Sequence, residues 1–281
     1  MRLVRFGPPG AEKPGLLRDN KIVDLRAIFP EIPDINEAFF RNNWLEKLQD
    51  VRQAGEDMGA RLGCPLQNPS KIICLGKNYI EHAQEGGFEA PDKPLLFAKS
   101  PNALNGPYDP ILLPQSCGQV DWEVELAVVI GRQGKRISKK DAIQFVAGCT
   151  IMNDVSGREA QFSDSQWFRG KSFDTFAPAG PALVTLDELG NPHDLRLMAL
   201  VDGEVMQDGS TADMIFDIPT LIEYISRDIT LVPGDIISTG TPAGVGIFRD
   251  PPIDLKCGNI VECRIEKIGS IKNKVVTQRD D

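Results

Sequence analysis

The chain has 281 residues, 41% hydrophobic and 25% charged, which is the composition of an ordinary globular protein and not of a disordered, fibrous or coiled-coil chain. Thirty-one basic against forty acidic residues leave a net charge of −9, and without a long basic run this argues against nucleic acid as a partner. No apolar run approaches the ~20 residues that span a bilayer, and MRLVRFGPPG has no signal-peptide pattern, so a soluble, cytoplasmic protein with no membrane partner is expected. The six cysteines form no C-x-x-C pair and read as reduced, mostly buried thiols.

Residues 1–68 are expected to form a small N-terminal α/β lobe. It opens with a strand over Met1–Phe6, a loop containing Pro8, Pro9 and Pro14, and a strand pair around Gly15–Leu25. A helix-like stretch follows, where Phe40, Trp44, Leu48 and Val51 recur every three to four residues. GCPLQNPSK (63–71) concentrates turn formers and reads as a linker into a main domain over 69–281. There KIICLG, PILL, VDWEVELAVVIG, AGCTIMND, PALVTL and DIISTG read as strands. Asp202–Gly203 between apolar runs predicts a tight hairpin, and NIVECRIEKIGSIKNKVV a second one turning near Gly269. Helices are expected after Ser138, with Asp141 as its capping partner, and over Ile218–Ser226. Strands dominate without alternating with helices. The expected class is therefore α+β with a β-rich main domain, and a doubly wound sheet is excluded.

In VDWEVELAVVIG, the two-residue period of a strand puts Glu123 and Glu125 on one face and Val124, Leu126 and Val128 on the other. Two carboxylates side by side are either a solvated edge or a cation site. With Asp154, which closes AGCTIMND, they make an all-oxygen set without histidine or cysteine, suited to Mg²⁺, Mn²⁺ or Ca²⁺.

Of the two histidines, His193 lies in the polar turn GNPHDL and reads as a surface residue. His82, in GKNYIEHAQEGG, has Glu85 three residues on. One helical turn would set that carboxylate beside the imidazole and orient it as a base. Lys99 in FAKSPNAL and Lys171 in RGKSFDTFAP are either oxyanion-stabilising groups or surface lysines lying over apolar neighbours. ISTGTPAGVGIF is no P-loop. It reads as a tight turn whose N–H groups and Thr241 hydroxyl suit a carboxylate. Behind the histidine, Gly86, Gly87, Pro91 and Pro94 give residues 80–93 the composition of a moving lid.

GKNYIEHAQE, FAKSPNAL, VDWEVELAVVIG, NDVSGREAQ, GKSFDTFAP and GDIISTGTPAGVG stand in the order and spacing of the fumarylacetoacetate hydrolase family, which the chain resembles from about residue 70 onward. RFGPPGAEKPGLL and QWFRGKSFDTFAP resemble the hydrolases of 2,4-diketo-3-deoxy sugar acids within it. The resemblance implies a β-sandwich roll, a homodimer, a divalent cation on Glu123, Glu125 and Asp154, and no organic cofactor. It also implies a His82–Glu85 dyad, a carbonyl-polarising Lys171, and Arg158, Gln161 and Thr241 on the substrate, to which Lys99 is added. The implied reaction is hydrolytic C–C cleavage of an acylpyruvate-like 2,4-dioxo acid, a small anionic keto acid. Oxaloacetate decarboxylation or keto–enol isomerisation on the same residues is the alternative, and a non-catalytic metal-binding relative the third.

Overall fold

The computed structural model describes residues 1–56 and 59–277. Strands β1 (Arg2–Phe6), β2 (Lys13–Arg18) and β3 (Lys21–Asp24) open the chain. The main sheet adds β4 (Ile72–Gly76), β5 (Leu95–Lys99), β7 (Val124–Ile130), β8 (Val146–Asn153), β9 (Ala177–Thr185) and β12 (Ile236–Ser238). A second sheet contains β6 (Ile111–Leu113), β10 (Arg196–Val201), β11 (Glu204–Ser210), β13 (Ile260–Ile265) and β14 (Gly269–Thr277). The main sheet runs β3-β2-β1-β9-β8-β7-β12-β4-β5, and the second β11-β10-β13-β14-β6. Neighbours in the main sheet are antiparallel except β12 and β4. The α+β class and the absence of a doubly wound sheet follow directly.

Strand β7 sits between two cores. Val124, Leu126, Val128 and Ile130 pack with second-sheet residues such as Leu197, Ala199, Val261 and Cys263 and with helix α6 (Ile218–Ser226). Ala127 and Val129 face the other way, against Phe39, Phe40, Trp44 and Leu48. This is the alternation expected of a strand covered on both sides. Both hairpins form as read: Val201 pairs Glu204 across Asp202 and Gly203, whose φ values of 52° and 88° suit a primed turn, and Ile265 pairs Gly269.

Four local expectations are corrected. The segment 63–71 is no linker: Leu62–Gly63 pairs with β1, and Cys64 and Leu66 are buried, because its apolar side chains find the N-terminal core. The helix-like stretch is two short helices, α1 (Glu37–Arg41) and α2 (Trp44–Lys47), broken where Asn43 adopts φ 55°. Ser138 does hydrogen-bond Asp141 at 2.6 Å, but the chain then makes a single 3₁₀ turn over Ala142–Phe145 in place of an α-helix. His193 is half-buried, not a free surface residue: its Nε2 accepts from the N–H of Ile218 at 3.1 Å and so caps α6.

Residues 1–68 share the main sheet through β1 and β9, and share its core. A buried ion pair stiffens this part: Arg5 donates to Asp34 at 2.7 and 2.9 Å and to Glu12 at 3.3 Å. Asp34→Ala would leave the buried guanidinium only its longer carboxylate contact, with Glu12, and is expected to cost about 3 kcal/mol, the low end for a broken buried pair. Arg5→Met with Asp34→Leu should cost clearly less, since Glu12 keeps the bond from Arg61 at 2.9 Å and no charge is left unpaired. Urea unfolding of both variants checks the order, and equal losses would contradict it.

Candidate active site

Four strand ends build the site. Antiparallel pairing sets Val124 against Asn153, so the start of β7 meets the end of β8. The N–H of Asp154 donates to the carbonyl of Glu123 at 2.8 Å, and the N–H of Glu123 to the side chain of Asn153 at 3.0 Å. Residues thirty positions apart are thereby held side by side. Past the end of β12, the N–H of Gly240 donates to Glu125 at 3.0 Å, beside Ser238, whose hydroxyl donates to the same carboxylate oxygen at 2.5 Å. The chain leaves β4 at Gly76 and turns into α3 (Ile80–Glu85), which carries the dyad.

Glu123, Glu125 and Asp154 are 5%, 1% and 0% exposed, so the solvated-edge reading fails. One carboxylate oxygen from each lies within 4.8 Å of the others. Around them, Lys171 Nζ is 2.7 Å from Glu123 and 2.9 Å from Asp154, and Lys99 Nζ is 2.6 Å from Asp154. Arg158 binds Asp121 through Nε and Nη2 at 2.7 and 3.0 Å, Glu123 at 2.7 Å and Gln161 at 2.9 Å. Both lysines are thus buried in ion pairs and neither lies on the surface. Lys171 reaches its place because α5 (Phe168–Lys171) lies against α4 (Arg158–Ser163): a Cβ on Gly170 would come 2.5 Å from the backbone nitrogen of Gln161.

The electrostatics follow from burial and imbalance. Four buried carboxylates, Asp121 included, face three cations. Burial works against the charge of Glu123, but Lys171 and Arg158 overcome it and hold that carboxyl well below its usual range. Among the described residues no cation forms an ion pair with Glu125, and burial, with Asp154 and Glu123 beside it, outweighs the more distant Lys171 and pushes its carboxyl up to about 8. Burial also tends to discharge Lys171, yet Asp154 and Glu123 outweigh it and keep the ammonium protonated. An all-carboxylate set with one acid left uncompensated fits a hard divalent cation, which would supply the missing positive charge.

The dyad is assembled. His82 Nδ1 and Glu85 Oε1 are 2.7 Å apart, and Glu85 Oε2 accepts from the N–H of Gly244 at 2.8 Å. The TGTPAGVG turn does serve carboxylates, but those of the protein itself. Phe248 closes over the dyad, its ring centroid 6.0 Å from that of His82 and 6.4 Å from that of Phe88. Of residues 80–93, His82 and Phe88 line the cavity, and Phe88 is partly open to solvent.

Of the residues expected here, His82, Glu123, Glu125, Arg158, Gln161, Lys171 and Thr241 line one cavity. Glu85 and Asp154 stand directly behind it, bonded to His82 and Lys171. Lys99 does not line it. Its ammonium is spent on Asp154 and the carbonyl of Val155, where it positions the aspartate. Leu75, Gly76, Lys77, Phe88, Phe97, Phe162, Trp167 and Phe248 complete the lining and were not anticipated. Asp121 was missed too, although D-x-E-x-E in VDWEVEL places it on the same strand face as both glutamates.

These features define a class: a β-rich enzyme fold in which a buried carboxylate triad beside a histidine–glutamate pair can hold a divalent cation. The family model described as "Fumarylacetoacetate (FAA) hydrolase C-terminal" matches residues 71–276. The bovine protein named oxaloacetate tautomerase FAHD2A, mitochondrial, is 45% identical, over 98% of this chain and 92% of its own. A crystal structure of a putative HpcE protein from Mycobacterium smegmatis superposes with a TM-score of 0.92 at 35% identity, covering 99% of this chain and all of that one. The maleylpyruvate hydrolase of Sphingobium sp. SYK-6, in complex with manganese(II) ion and pyruvate, gives 0.81 at 29% identity with the same coverage. The chain belongs to the fumarylacetoacetate hydrolase family. Among the described residues no helix is long and apolar enough to cross a membrane.

Proposed function

We propose that the chain is a divalent-metal-dependent keto–enol tautomerase acting on oxaloacetate or a closely similar 2-oxo acid. The observation that carries this is one cavity lined by His82, Glu123 and Glu125, with Glu85 orienting the histidine and Asp154 completing the carboxylate set from behind. The name of the 45%-identical bovine relative supports tautomerisation over the acylpyruvate hydrolysis expected first.

Glu123, Glu125 and Asp154 would hold Mg²⁺ or Mn²⁺. When bound, the cation would act as a Lewis acid toward the 2-oxo group and lower the cost of enolate charge. His82, fixed through Nδ1 by Glu85, presents Nε2 as the base that takes a proton from C3 of the keto acid. The C3–H pair forms the C2–C3 double bond, the carbonyl electrons move to O2, and His82 returns the proton to that oxygen. Lys171 stays protonated and uses two of its three N–H groups on Glu123 and Asp154. The third remains for O2, where it stabilises developing charge. Arg158 fixes the amide of Gln161 by donating to its Oε1, which leaves Nε2 for a substrate carboxylate, whereas the Thr241 hydroxyl on the same wall is spent, donating to the carbonyl of Val124 at 2.9 Å and accepting from Gln207 at 2.8 Å. Lys99 positions Asp154. The aromatic lining keeps bulk water from the enolate.

Hydrolysis is the second reading, favoured by the pyruvate-bound maleylpyruvate hydrolase of the same fold. The test is ultraviolet detection of oxaloacetate enol–keto exchange with Mg²⁺ and with chelator, alongside pyruvate release from acylpyruvates. Metal-dependent exchange well above the spontaneous rate, without pyruvate release, is the expected result. Rapid pyruvate release from an acylpyruvate, with exchange at the spontaneous rate, would reverse the assignment.

A further inference from the structure

The other cations on the cavity wall are committed: Lys171 to Glu123 and Asp154, and Arg158 to Asp121 and Glu123. Lys77 stands apart. It lines the same cavity, and among the described residues no carboxylate pairs with its ammonium. Instead Nζ lies 3.3 Å from the centroid of the Phe88 ring, which is itself partly open to solvent and so marks the rim. Burial alone lowers its pKa from the ordinary lysine value, with no acidic neighbour to oppose that.

The backbone imposes this position. Lys77 sits at φ 57°, in the left-handed region that a lysine adopts only when its surroundings enforce it. The clamp is the next residue. Asn78 donates to the carbonyls of Thr239 and Phe216 at 2.8 and 3.1 Å and accepts from the N–H of Phe216 at 2.8 Å. A buried amide with three bonds thus holds the turn between β4 and α3, and with it the lysine at the cavity rim.

We infer that Lys77 reads a second carboxylate of the substrate, so that the cavity selects 2-oxo dicarboxylates over 2-oxo monocarboxylates. This rests on the tautomerase reading for what happens at the reacting end and adds the residue that would select a dicarboxylate there. A carboxylate offers the ammonium a charge-assisted hydrogen bond, a stronger partner than an aromatic face, and the exchange leaves Phe88 in place as the wall behind it.

The test measures binding separately from turnover. L-malate and L-lactate both carry a 2-hydroxy carboxylate, and only malate has a second carboxylate. Titration calorimetry with Mg²⁺ present is expected to show malate binding wild-type protein at least roughly tenfold tighter than lactate. Lys77→Met, which keeps an apolar stem against Phe88, should abolish that preference while lactate affinity stays unchanged, and Lys77→Arg should retain it. A wild type without the preference, a Met variant that keeps it, or an equal loss for both ligands would each overturn the inference. A Lys77-dependent preference in a protein that does not exchange oxaloacetate tautomers would support Lys77 and refute the tautomerase reading alone.

Discussion

Replacing His82 with alanine is expected to lower kcat for oxaloacetate tautomerisation by roughly 10²–10⁴-fold, the usual contribution of a positioned base. Affinity for Mg²⁺ should be unchanged, because the ring bonds Glu85 and none of the three triad carboxylates. Glu85→Gln should give a smaller loss, since an amide can still meet Nδ1 but holds the imidazole less firmly. It also weakens the bond from the Gly244 N–H that ties helix α3 to the opposite loop. Steady-state kinetics with saturating Mg²⁺, paired with calorimetric metal titration, decides the matter. Near-full turnover in His82→Ala would remove the histidine from the chemistry, and a parallel loss of metal affinity would make it a structural residue.

Mg²⁺ binding is expected to tighten steeply up to about pH 8 and to level off above it. Burial, then the charges of Asp154 and Glu123, push the Glu125 carboxyl from its ordinary 4.5 up to about 8. A cation needs the carboxylate, so binding at neutral pH must expel that proton, and affinity should fall about tenfold per pH unit below 8. The stability of the metal-free protein has the matching sign. The folded pKa is raised, so the contribution of Glu125 is fully present below about 4.5 and is lost as pH rises through about 8, where the unfolded chain has ionised and the folded one resists. Each unit inside that window costs about 1.4 kcal/mol. Glu123 acts oppositely and in a different range: its carboxyl is held low, so its contribution disappears only in acid. Glu125→Gln should flatten the slope between pH 5 and 8 and weaken metal binding at every pH. Thermal unfolding of chelated protein across that range measures it, and a flat profile for the wild type would contradict the placement of the proton on Glu125.

The sequence by itself determined a good deal. Two-residue alternation put Glu123 and Glu125 on one strand face, Asp202–Gly203 marked a hairpin, and Ile218–Ser226 is a helix with those bounds. The three-residue spacing of His82 and Glu85 placed them together because one helical turn fixes that distance whatever surrounds it. Six ordered motifs carried the family. Each of these signals is local, set by backbone periodicity or turn chemistry. What only the tertiary structure decided is non-local. Burial on both faces of β7 turned an ambiguous glutamate pair into a charged core, and no periodicity reports what lies on the far side of a sheet. The path of two lysines into ion pairs with Asp154, one at the cavity and one behind it, depends on helix α5 and strand β5 meeting the end of β8. Segment 63–71 has linker composition but packs, because the burial of Cys64 and Leu66 outweighs the turn propensity of their neighbours. Lys77 was invisible for the same reason: a lysine after a glycine says nothing of a cavity until folding sets it over Phe88 at the rim.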